Sequence, residues 1–90
     1  MDKTYTAIQE GYEAKSLLEN ETLRGAFEVI ERSYFDKWRS TNPQEVALRE
    51  KLWIAFNTIS LLRNHLGKVL ADGKLAEADL RMKTEKKKNG

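Results

Sequence analysis

Cysteine is absent from these 90 residues, so no disulfide framework and no thiolate nucleophile is available. That absence fits a reducing compartment. There is one histidine, His65, with no paired-histidine or HExxH spacing around it, so a zinc site of the usual kind has too few ligands. No uncharged run approaches the roughly twenty apolar residues of a membrane span. The opening MDKTYTAIQEGYEAK lacks the apolar core of a signal peptide. No membrane partner is expected. There is one proline, Pro43, and there are five scattered glycines, so long regular elements are allowed and no phosphate-cradling glycine cluster exists.

What is present is 40% hydrophobic and 33% charged residues, a globular balance. A chain this short is marginal unless its helices are strongly apolar or it associates. The net charge of +2 is uneven. Residues 80–90 carry Arg81, Lys83, Lys86, Lys87 and Lys88 against Glu85, a net +4, and the rest of the chain is mildly acidic. Residues 1–80 are expected to form one helical domain and 81–90 a basic, flexible C-terminal tail.

Helical spacing organises the body. Ile8, Tyr12 and Leu18 mark a first helix over about Thr4–Glu19, weakened at Gly11. Asn20 can cap a second helix, and Glu21 sits well at its positive end. From Glu21 to Arg39, Leu23, Phe27, Ile30, Tyr34 and Trp38 recur at spacings of four, three, four and four, one face of a helix. Arg24, Glu28, Glu31, Arg32 and Asp36 are read onto its other side, with Glu28–Arg32 and Arg32–Asp36 as i,i+4 pairs. Asn42-Pro43-Gln44-Glu45 reads as a tight turn and capping box that starts the next helix at Pro43.

That third helix is expected to run to about Ala71 on a stripe of Leu48, Leu52, Ala55, Phe56, Ile59, Leu62, Leu66, Val69 and Leu70. Asp72-Gly73 reads as its stop, with Gly73 left-handed, and Lys74–Leu80 as a separate short helix. Within the third helix, LWIAFNTISLL (residues 52–62) carries no charge because apolar residues stand on more than one side of it. Leu52, Phe56 and Ile59 face the second helix, while Trp53 and Leu61 need other cover. The third helix also overhangs the second by roughly 15 Å at 1.5 Å per residue. Either the first helix folds over that overhang or a second copy does. The fold expected is all-α: a long antiparallel helical hairpin with an additional N-terminal helix, becoming a helical bundle on self-association. The expected homo-oligomer interface is Trp53, Leu61, Leu62, Leu66, Val69 and Leu70. Tyr34, Phe35, Trp38, Trp53 and Phe56 are expected to cluster near the turn, as core or as a binding hot spot.

Catalytic constellations are not evident. Glu10 and Glu13 share a helix face in a polar segment beside Gly11 and Lys15, which reads as solvated surface. Asp72, Glu77 and Asp79 lack the alternating acidic positions of a calcium loop. Ser60 stands five residues from His65, a poor reach for a nucleophile and its base. No cofactor and no enzymatic activity are expected. The basic tail has Arg81, Lys83, Lys86, Lys87 and Lys88 for weak, non-specific phosphate contact but no aromatic residue to stack on a base.

The segments AKSLLENETLRGAF, ERSYFDKWRSTNPQE and REKLWIAFNTISLLRNHLGKVLADGKL, within Ala14 to Leu80, resemble small helical proteins of tailed bacteriophages and prophages, often encoded among virion structural genes. The shared features are packing residues, so the resemblance implies a phage setting and no chemistry; the location it implies is the cytoplasm of the bacterial host, with virion association as an extension. The function expected is a non-enzymatic phage structural or assembly protein acting through protein–protein contacts. The alternatives are a nucleic-acid-associated protein using its tail, and a small inhibitor or adaptor binding a host protein or a small anionic ligand.

Overall fold

The computed structural model describes residues 3–89, with side chains through Lys86. The described residues are all-α: α1 (Lys3–Glu19), α2 (Glu21–Ser40) and α3 (Val46–Asn89). The chain divides into two compact units. One is Asn20–Asn64, holding α2 and the first part of α3. The other joins the chain up to Glu19 with the chain from His65 onward, so it holds α1 and the rest of α3.

The Asn20–Asn64 unit is the expected antiparallel hairpin. Asn20 is extended and its side-chain oxygen accepts the Leu23 amide at 2.8 Å, which starts α2. The contacts then run in opposite senses along the two helices: Trp38 meets Trp53, Phe35 meets Phe56, and Glu31 meets Arg63. Glu31 is thus on the α3 side of α2, not the solvent side that the pattern predicts. Its Oε1 is buried, and the contact with the Arg63 guanidinium is ionic without hydrogen-bond alignment. The Arg63 guanidinium also lies 5.4 Å from the centre of the Phe27 ring, which places the cation beside α2, where the Glu31 carboxylate meets it. The predicted Glu28–Arg32 and Arg32–Asp36 pairs are not among the ion pairs formed; Glu21–Arg24 at 3.2 Å is.

The turn begins α3 at Val46, three residues later than Pro43. The Glu45 amide donates to the Asn42 carbonyl at 2.9 Å, so Pro43 and Gln44 are used in the turn itself. The predicted box forms there: the Asn42 amide donates to the Glu45 carboxylate at 3.0 Å, and the Gln44 amide to Asn42 Oδ1 at 3.0 Å. Arg49 locks the corner. Its guanidinium lies 4.5 Å from the Trp38 ring centre and donates to Thr41 Oγ1 at 2.8 Å. The Thr41 hydroxyl in turn donates to the Trp38 carbonyl at 2.6 Å, at the open end of α2.

The other unit is built on a backbone contact. A Cβ placed on Gly11 would lie 2.8 Å from Gly73 Cα, and one on Gly73 would lie 2.7 Å from Gly11 Cα and 2.9 Å from the Ala7 carbonyl oxygen. No side chain larger than hydrogen fits at either position. Ala14, 3% exposed, continues the same face of α1. This overturns the helix stop at Asp72-Gly73. No glycine among the described residues has a positive φ, and α3 passes through Gly73 to Asn89. Gly73 serves close approach rather than a left-handed turn. Leu75, Ala76, Ala78 and Leu80 belong to α3, not to a separate short helix. α3 continues through residues 81–89 and ends at Asn89.

Candidate protein interaction surface

The helices leave much apolar surface uncovered. Ala14 is the buried hydrophobic residue among those described, and no large side chain is fully buried. The exposed residues include aromatic and aliphatic side chains such as Trp53, Ile54 and Leu61, the composition that marks contact surfaces.

The predicted interface divides in two. Leu66, Val69 and Leu70 are half-buried in the unit that contains α1. Leu70 and Gly73 line a cavity of about 190 Å³ there with Ile8 and Tyr12. Within the single chain these three side chains are partly covered. Trp53, Leu61 and Leu62 remain exposed, at 50%, 66% and 50%. Ile54, 57% exposed, belongs with them and was missed by the sequence pattern. Its signal lay inside LWIAFNTISLL, seven residues before Leu61.

Four of the five predicted aromatic residues form a closed circuit. Phe35–Trp38, Trp38–Trp53, Trp53–Phe56 and Phe56–Phe35 have ring centres 6.0, 5.7, 6.0 and 5.8 Å apart, all tilted. These are favourable aromatic separations. Tyr34 instead carries Lys37 Nζ 5.8 Å from its ring centre. The circuit is both packing and surface, because Phe35 and Trp53 are exposed. Beside it an open groove is floored by Leu48 and Leu52 and edged by Asp36, Lys37 and Glu45.

The basic residues are less available than their number implies. Arg81 pairs with Glu77 at 3.6 Å and Lys83 with Asp79 at 3.3 Å. Such exposed i,i+4 pairs are worth only about 0.3–0.5 kcal/mol, but they reduce the charge offered to a phosphate. Lys86 is exposed, and the side chains of Lys87 and Lys88 lie outside those described. Glu10, Glu13 and His65 are exposed. Among the described residues no group of three or more histidine, cysteine, aspartate or glutamate side chains could hold a metal ion.

The described titratable group that shifts is Tyr12. Its hydroxyl donates to both Glu77 oxygens, at 3.0 and 2.9 Å. That hydrogen bond, with the negative charge of Glu77 and slight burial, pushes the phenol above its ordinary value, opposed by Arg81. The arrangement ties α1 to α3 within this unit.

No helix among the described residues is long and apolar enough to cross a membrane. No family model, curated protein or solved structure matches this chain.

Proposed function

We propose that this chain is a non-enzymatic structural or assembly protein that works by protein–protein contact. The observation that carries the reading is the uncharged middle of α3. Trp53, Ile54 and Leu61 stand half or more exposed there on a helix already packed by α2 on another side. Desolvating such side chains is worth about 25 cal/mol per Å² of apolar area, and a partner surface is what can supply it. The phage setting, as a component or helper of particles, rests on the resemblance of residues 14–80 to phage-encoded helical proteins. The test is cosedimentation with particles or their assembly intermediates from an induced lysogen. The expected result is recovery in fixed stoichiometry with a particle component. Complete separation from every particle fraction overturns the assembly role.

A further inference from the structure

We propose that the cavity beside the Gly11–Gly73 contact binds a small aromatic carboxylate of about the size of benzoate. The cavity lies wholly within the unit that holds α1 and the later part of α3. The proposal does not depend on the protein-contact reading, and the site shares no residue with the surface that carries it.

The floor is backbone. A Cβ on Gly11 or on Gly73 would meet the other residue's Cα, at 2.8 and 2.7 Å. No side chain therefore stands at the contact that could rotate and fill the space. A hollow of this kind is preformed, as small-molecule sites usually are. The apolar walls are Ile8 and Leu70, each three residues before the glycine of its own helix, together with Tyr12.

Size narrows the occupant. The volume is about 190 Å³. An apolar cavity of about 150 Å³ takes up benzene, so one ring with one small polar group is the scale that fits. Drug-sized ligands occupy roughly 300 Å³ or more.

Charge narrows it further. Lys15 and Lys74, one from each helix, also line the cavity. Both are exposed, and neither takes part in the ion pairs formed among the described residues. The carboxylate in the lining, Glu77, is already engaged. It accepts the Tyr12 hydroxyl on both oxygens and pairs with Arg81 at 3.6 Å. The charge left open at the cavity is thus positive. A ring seated against Ile8, Leu70 and Tyr12 would place its carboxylate within reach of two flexible ammonium groups. Inorganic phosphate would satisfy the lysines and leave the apolar walls wet. A neutral ring would dry the walls and leave the lysines without a partner.

The experiment titrates benzoate into the isotope-labelled full chain and follows backbone amide shifts by NMR. Benzamide, the neutral analogue of the same shape, and inorganic phosphate are the comparison probes. Benzoate is expected to give saturable shifts in residues 8–15 and 70–77, with α2 unmoved. Benzamide should bind roughly tenfold more weakly, because it forgoes the charge-assisted contacts. Lys15→Gln/Lys74→Gln, at two exposed positions, should keep its helical circular dichroism and bind the two ring probes alike. Phosphate should give no saturable shift in either segment. The proposal is overturned if benzoate gives no saturable shift at roughly 10 mM, beyond the range of useful affinity. It is equally overturned if benzamide or phosphate binds as tightly as benzoate, or if the preference for benzoate survives loss of both lysines. The three probes on the wild type keep the test decisive if the double glutamine form misfolds.

Discussion

Two units of one short chain are held by opposite means. In the Asn20–Asn64 hairpin, large side chains meet: four rings in a circuit, a guanidinium on Trp38, and a half-buried ion pair between Glu31 and Arg63. In the unit containing α1, almost nothing stands between the helices at their closest point, because Gly11 and Gly73 bring backbone against backbone. Large side chains tolerate variation, since rings can shift and their edges can stay wet. A glycine–glycine contact tolerates none. The same residue type therefore has opposite meanings within one chain. Gly11 and Gly73 are irreplaceable, while a Cβ on Gly25 or Gly67 would meet nothing within 4 Å.

The largest effect should come from Gly73→Ala. Its Cβ would meet two backbone atoms that cannot rotate away, and such overpacking costs about 2–3 kcal/mol. Urea unfolding followed by circular dichroism should show the loss, and an unchanged midpoint would remove the backbone contact from the account. Next is Arg49→Ala, which strips the cation from Trp38 and the donor from Thr41. A loss of about 1–2 kcal/mol is expected, with Lys recovering only part of it because it lacks the planar fork. Gly67→Ala should move the other way, stabilising by roughly 0.5–1 kcal/mol, since the helix gains propensity and the methyl group meets open space. Destabilisation there would mean that a partner covers Gly67.

The smallest effect concerns Tyr12. Its folded-state pKa is raised above the ordinary 10.0, chiefly by the hydrogen bond to Glu77. The contribution is then fully present below the unfolded value and lost as pH climbs through the raised folded value. Tyr12→Phe should flatten that alkaline decline in stability while changing little at neutral pH. An identical alkaline decline in both forms would show that the phenol plays no part in it.

Much of the hairpin was legible. Asn20 capped where its side chain allowed, the Asn42–Glu45 box formed, and the helical spacing of Phe27, Tyr34 and Trp38 placed the aromatic layer. The start of α3 slipped by three residues because Pro43 fits the second place of a turn as well as the first place of a helix. Gly73 misled because glycine after aspartate suits both a helix stop and a close crossing. Only the residue on the other side of the contact, Gly11, sixty-two positions away, decides which. Glu31 misled because charge alone assigned it to solvent, whereas the Arg63 guanidinium, placed over the Phe27 ring, gives it a partner on the α3 side. Of the candidate surface, Trp53, Leu61 and Leu62 are exposed in the chain, while Leu66, Val69 and Leu70 lie in the unit that also holds α1, the first of the two alternatives that the length of the overhang leaves open.

The most direct test of the two-mode account is amide hydrogen exchange, followed peptide by peptide, in the wild type and in Gly73→Ala. The account predicts lost protection in α1 and in α3 beyond His65, with the Asn20–Asn64 hairpin exchanging as slowly as before. A uniform loss across both units would contradict it.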